Sequence, residues 1–102
     1  KHQQYPSIYS EIVALARIGG HENYSYLLNI YKESKYYEVK SSIISAFGTG
    51  KMEEAIPFLT EMLNDKSIDK ELRLRCAESL RQITGEEEKY RKISWEIMEG
   101  QR

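Results

Sequence analysis

Three kinds of side chain in this sequence could carry chemistry: the imidazoles of His2 and His21, the thiol of Cys76, and a large set of carboxylates. A metal centre draws several imidazole, thiolate or carboxylate ligands to one point. Here a His-Glu pair occurs once, at His21 and Glu22, and His2 lies close to the start of the chain, so neither a metal nor a cofactor is expected. Serine catalysis needs an imidazole base held by an acid. Serines are numerous, but both histidines are poorly placed for that role, His21 falling beside a turn. A lone cysteine can form neither an internal disulfide nor a multi-cysteine zinc site. Cys76 sits inside LRLRCAESL in phase with Leu72, Leu80 and Ile83, and reads as a small buried hydrophobe. The Gly48-Thr49-Gly50 run lacks the third glycine, the preceding strand and the Lys-Ser ending of a phosphate loop, and reads as a helix stop. No catalytic group is assigned, and the chain reads as a non-enzyme.

The elements that would position these residues follow from a phrase written three times. IVALARIG begins at Ile12, ISAFGTGK at Ile44 and AESLRQITG at Ala77, steps of 32 and 33 residues. A period of that length marks stacked helix pairs. Apolar residues recur at helical spacing throughout, which predicts six helices. The first runs from Ser7, a cap after Pro6, to Ile18, burying Ile8, Ile12 and Leu15 before Gly19 and Gly20. The second spans Glu22 to Glu33 with Tyr24, Leu27 and Tyr31 inward, and the third Tyr37 to Phe47 with Val39, Ile43 and Ala46 inward. The fourth starts near Met52, tolerates Pro57 near its beginning, and buries Ile56, Leu59 and Leu63. The fifth begins after Ser67 or Asp69 and continues to Ile83. The sixth follows Gly85 with Tyr90, Ile93 and Ile97 as its stripe; Thr84 and Glu87 have capping-box spacing, and Glu87–Arg91 and Glu88–Lys92 are i, i+4 pairs.

Composition agrees. In 102 residues, 40% hydrophobic side chains can build one small core and 30% charged ones can solvate its outside. A formal net charge of −1 provides no field to hold a polyanion, so nucleic acid is not an expected partner. The apolar runs are too short for a membrane span, and no signal peptide opens the chain. It begins at Lys1 rather than methionine, which suggests a processed or excised segment; the compartment is not specified, with the cytoplasm the default expectation.

The stretch Glu38 to Asp65, EVKSSIISAFGTGKMEEAIPFLTEMLND, resembles one full unit of the short bacterial and archaeal HEAT repeat, also called the PBS-lyase HEAT-like repeat. That unit opens its first helix with Val-Arg, closes it with Ala-Leu-Gly and begins its second with Ala-x-Pro-x-Leu. Here those places hold Val39 and Lys40, then Ala46, Phe47 and Gly48, then Ala55, Pro57 and Leu59. Leu72 to Gly85, LRLRCAESLRQITG, looks like the start of the next unit, with Arg73 at the arginine place. Ser7 to Tyr31 is similar only through Ala14, Leu15, Ile18, Gly19 and Leu27. The resemblance implies an all-α fold, an α-solenoid or alpha-alpha superhelix of three antiparallel HEAT-like helix pairs. One domain would cover 1–102, with repeats at 7–33, 37–65 and 68–99, as a segment of a longer protein. In the family the arginine pairs with acidic residues near the turn, so Arg73 is expected to meet Asp65 or Asp69. Lys40 lacks that fork, and Gly50-Lys51 replaces a common Ile-Gly.

Enzymes built on this repeat do not fit. HEAT-like deoxyhypusine hydroxylases ligate two irons through repeated His-Glu pairs, and this chain has one pair. HEAT-like alkylpurine glycosylases hold duplex DNA in a basic groove, whereas Glu53, Glu54 and Glu61 would surround Phe58 and Leu59 here. Likeness to phycobilin lyases of the repeat class supplies no substrate. The expected function is therefore a non-catalytic protein-protein interaction or scaffold module that binds a protein or peptide on its concave face. The alternative is a scaffold segment of a larger enzyme or cofactor-handling protein. Aligning helices two, four and six places Asn29, Glu61 and Trp95 in one row, Tyr26, Phe58 and Lys92 in a second, and Lys32, Asn64 and Met98 in a third. The partner-binding residues expected from these rows are Tyr26, Asn29, Phe58, Glu61, Asn64 and Trp95. Apolar residues at the ends, Tyr5, Ile8, Tyr9, Ile12 and Leu15 at one and Trp95, Ile97 and Met98 at the other, predict end-to-end self-association.

Overall fold

Helical periodicity across nearly every segment is realised as six α-helices joined by short turns, and the computed structural model, which describes residues 7–102, has no strand among them. They are α1 (Ile8–Ile18), α2 (His21–Glu33), α3 (Tyr37–Thr49), α4 (Ile56–Leu63), α5 (Lys70–Thr84) and α6 (Glu87–Met98), with a 3-10 turn at Glu53–Ala55 leading into α4. The predicted His2 and Tyr5 lie outside the described residues. The odd helices pack in succession, α1 on α3 and α3 on α5, and each also packs on the even helix that follows or precedes it. The described chain measures 49 × 25 × 22 Å.

Being covered on both sides, α3 buries Val39, Ile43, Ile44, Ala46 and Phe47, more than one stripe. Its continuation to Thr49 corrects the expectation that Gly48 stops it. Gly48 instead lets two helices approach. A Cβ there would lie 2.7 Å from both Cα and Oγ of Ser79 on α5. The Ser79 hydroxyl donates to the Ile44 carbonyl at 2.7 Å inside that contact. Gly50 has the same role toward α1, where a Cβ would come within 2.6 Å of the Ala16 carbonyl carbon. The left-handed turn residue is Lys51, with φ 52°. That conformation costs a non-glycine residue about 1 kcal/mol.

Other departures share a cause: an element with fewer neighbours covers less of its surface. α1 buries Ile12 and Ala16 and leaves Leu15 half-buried, while Ile8, expected inward, is 43% exposed. In α2 the stripe Tyr24, Leu27 and Tyr31 is buried as expected, and Leu59 and Leu63 are buried in α4 beside Met62, with Ile56 only partly so. Pro57 stands in the first turn of α4, where its missing N–H costs nothing. Asp69 caps α5 by accepting from the Glu71 amide, while Ser67 belongs to a separate turn in which it donates through its amide and hydroxyl to Asp65. Those two bonds hold the Asp65 carboxyl below its ordinary value.

The capping box expected at Thr84 and Glu87 does not form. The Thr84 hydroxyl donates back to the Leu80 carbonyl and accepts from the Glu86 amide, and Glu87 reaches Arg81 instead. The expected i, i+4 pairs are replaced by Arg91–Glu88 and Lys89–Glu86 at i, i+3. Arg73, buried in α5, meets neither Asp65 nor Asp69 in a direct pair. Its Nε donates to the Leu63 carbonyl at 3.0 Å and its Nη2 to the Arg102 carbonyl at 2.8 Å. Lys40 does the equivalent at the preceding junction, donating to the Tyr31 carbonyl at 2.8 Å. In both cases the cation neutralises the negative end of the preceding even helix, a target nearer than any carboxylate.

Two substitutions test this packing. Leu59→Ala, at a fully buried position, is expected to cost about 2–5 kcal/mol. Gly48→Ala is expected to lower the melting temperature as well, although glycine to alanine inside a helix ordinarily gains about 1 kcal/mol. The added methyl group meets backbone at Ser79 and cannot be relieved by a side-chain rotation. A Gly48→Ala protein that melts at or above wild type would contradict the close approach of α3 and α5.

Candidate functional site

The rows expected on the even helices begin with what each helix hides. Because Tyr24, Leu27 and Tyr31 take the inward side of α2, the residues two or so steps away must point out, and Tyr26, Asn29 and Lys32 are exposed. On α4 the inward Leu59, Met62 and Leu63 leave Glu61 and the C-cap residue Asn64 exposed. On α6 the stripe Tyr90, Ile93 and Ile97 leaves Lys92, Trp95 and Met98 exposed, with Trp95 at 59%. The Asn64 amide donates to the Thr60 carbonyl at 3.1 Å, which fixes its side chain at the end of α4.

Phe58 is the exception among the expected contact residues. It is half-buried, edge-on to Tyr31 with ring centroids 5.3 Å apart and to Phe47 at 6.3 Å. These rings join α2, α3 and α4, so Phe58 belongs largely to the core, and Tyr26 is left as the exposed ring of its row. Lys40 stacks its ammonium over Tyr31, 4.2 Å from the ring centroid.

A second constellation lies at the turns. Gly19, Gly20 and His21 at the turn from α1 to α2 face Gly50, Lys51, Met52, Glu53 and Glu54 at the turn from α3 to α4 across a cleft of about 270 Å³. His21 Nδ1 lies 2.5 Å from Glu54 Oε2, and the Ser25 hydroxyl lies 3.5 Å from His21 Nε2. With Nδ1 donating to Glu54, Nε2 becomes the acceptor for Ser25, the contact order of a serine–histidine–acid relay. The surroundings differ from such a relay: the His21 side chain is 75% exposed, and the serine contact is at the outer limit of a hydrogen bond. The geometry ties the α1–α2 and α3–α4 turns together, with an exposed pair worth about 0–1 kcal/mol. The Glu54 carboxylate also acts on Tyr24, whose phenol is pushed up first by burial and then by that charge.

Sequence reasoning missed the pairing of His21 with Glu54. The signal was the period itself. The two residues are 33 apart, so a stack that repeats at that interval sets the two turns side by side.

Among the described residues no group of three or more histidine, cysteine, aspartate and glutamate side chains converges where a metal ion could be held. No described helix is long and apolar enough to cross a membrane. No protein-family model matches the chain, and no curated protein and no solved structure matches it either.

Cys76 is buried against the core, and burial pushes its thiol up to about 12. Since the thiolate is the reactive form and a free cysteine titrates near about 8.5, the native protein near neutral pH holds almost none. Disulfide exchange with an aromatic disulfide at about pH 8 should proceed on the order of a thousandfold more slowly in the folded chain than in the urea-unfolded chain. Equal rates would place Cys76 at the surface.

Proposed function

We propose that the chain is an α-solenoid of three HEAT-like helix pairs and serves as a non-catalytic interaction module, binding a protein or peptide across the face made by α2, α4 and α6. The observation that carries the reading is the row Asn29, Glu61 and Trp95. These residues occupy equivalent steps on three successive even helices and are all exposed. An amide, a carboxylate and a large ring aligned in this way suit an extended polypeptide, whose backbone needs donors and acceptors and whose side chains need apolar contact. Tyr26 and Asn64 extend the same surface on either side. The order of packing, α1 on α3 on α5, supports the array, in which the even helices would follow one another along one side.

Selection of peptides from a random displayed library against the wild-type protein provides the test. Binders should lose at least about tenfold in affinity, about 1.4 kcal/mol, for the triple variant Tyr26→Ala/Asn29→Ala/Glu61→Ala, and should be indifferent to Lys70→Glu at the start of α5. Binders that ignore the triple variant would move the site, first to the turn where Tyr36 and Tyr37 are exposed.

A further inference from the structure

We infer that a cleft along α3, between α1 and α5, is a second binding site, built for a small aromatic carboxylic acid that carries a hydrogen-bond donor at its far end. The site begins with side-chain length. Beside its core stripe α3 bears Ser41, Ser42, Ser45 and Thr49, short hydroxyl side chains that fall on one side of the helix. The helices packed against it bring longer groups to the same side, Tyr9 and Val13 from α1 and Arg75 from α5. The difference in length leaves a cleft of about 350 Å³ lined by all of these residues. Small-molecule sites run from about 300 to 1,000 Å³ and combine apolar rings with a few polar groups.

The polar groups of the cleft define what it would take. Arg81, Arg91 and Arg102 each hold a glutamate at 2.7 Å or less. Among the described residues Arg75 is in no ion pair, although Glu71 and Glu78 stand one turn away on the same helix. Its Nη1 reaches only the Ser45 hydroxyl at 3.4 Å, near the outer limit of a hydrogen bond. Its fork is therefore open to a carboxylate, with the Ser45 hydroxyl beside it as a further donor. Glu38 lines the same cleft from the first turn of α3. It lies two turns from Ser45, about 10 Å along the helix axis. Opposite charges thus mark the two ends of one cleft and do not meet each other. A phosphate dianion would be repelled by Glu38, whereas a monoanion with an O–H or N–H at its other end satisfies both ends. Between them Tyr9 and Tyr37, 42% and 40% exposed, offer rings on which a flat apolar body can pack.

Helix stability does not call for the short strip. One period further on, at the steps of Ser42, Ser45 and Thr49, α5 carries Arg75, Glu78 and Gln82, all long. Long polar side chains solvate a helix surface equally well and favour the helix more than serine or threonine, whose hydroxyls compete for the backbone. What the short residues provide on α3 is room. None of the lining residues belongs to α2, α4 or α6, so this site does not depend on the peptide-binding reading.

Titration with para-hydroxyphenylacetate up to millimolar concentration, followed by amide NMR spectra, makes the test. Shifts are expected at the amides of Ser42, Ser45 and Arg75. The neutral analogue para-hydroxyphenylacetamide should bind at least about tenfold more weakly, and phenylacetate, which lacks the hydroxyl, should also bind more weakly. Arg75→Gln should abolish the preference for the acid over the amide, and Glu38→Ala the preference for the hydroxyl. Wild-type protein that shows no shifts, shifts confined to other helices, or equal affinity for acid and amide would each overturn the inference. So would an Arg75→Gln protein with wild-type helical circular dichroism that still prefers the acid. The wild-type comparison of acid with amide decides the matter even where a variant does not fold. The triple change at Tyr26, Asn29 and Glu61 should leave the titration unaffected, so failure of the peptide-binding reading and failure of this site are seen separately.

Discussion

The contact on which the rest of the structure depends is the close approach of α3 and α5 at Gly48 and Ser79. Glycine on one helix and a small hydroxyl on the other bring two backbones nearer than side chains of ordinary size permit. The buried Ser79 hydroxyl is satisfied by the Ile44 carbonyl across the same gap, which removes the penalty of an unpaired polar group in the interior. With that distance set, Phe47 and Leu80 are sealed from water, and α4 and α6 find their places on α5. The surface on the even helices inherits its geometry from this axis, because each even helix is positioned by the odd helices it leans on.

A second constraint acts at the junctions between pairs. The last carbonyls of a helix are unsatisfied and carry the negative end of its dipole. Lys40 answers the end of α2 through the Tyr31 carbonyl, and Arg73 answers the end of α4 through the Leu63 carbonyl. The two cations solve one problem with different reach. Lysine makes a single bond and adds a contact over the Tyr31 ring, whereas arginine has a second nitrogen to spare and uses it on the Arg102 carbonyl. The residue after α6 that supplies this carbonyl is itself held, since the Arg102 guanidinium pairs with Glu96 at 2.7 Å. The buried guanidinium thus fastens α4, α5 and the segment after α6 together.

Much of this was legible in the residues, and the reasons for the misses are physical. Stripes on helices with neighbours were read correctly: Leu27 and Tyr31, Ile43 and Ala46, Leu59 and Leu63, Ile93 and Ile97 are all buried. Ile8 reads as inward because periodicity reports which residues share a face and not whether another element covers it. Gly48 reads as a stop because a sequence holds a glycine without saying whether its use is conformational freedom or lack of bulk. Arg73 points to carboxylates because charge is visible in a sequence and a helix-end carbonyl is not. On the candidate surface, Asn29, Glu61 and Trp95 were placed outward from helical phase alone, which suffices when a residue lies opposite a buried stripe. Phe58 lies at the edge of such a stripe, where phase cannot separate a core ring from a contact ring; the rings of Tyr31 and Phe47 decide it.

Packing between the odd helices explains which residue types stand where they meet. At an interior step a residue is pressed between two helices and must be small or apolar, as Ile43, Gly48, Cys76 and Ser79 are. Arg81 on α5 is committed to Glu78 and Glu87, which lie on two different segments. Glu78 responds to that arrangement: the hydrogen bond from Arg81 holds its carboxyl below the ordinary value. Its folded-state pKa is thus lower than its unfolded one, so the network contributes stability above the unfolded value and loses it as pH falls through the folded one. The Arg81 network is therefore an electrostatic tie between α5 and α6, and acid weakens it at the carboxylates while the guanidinium keeps its charge.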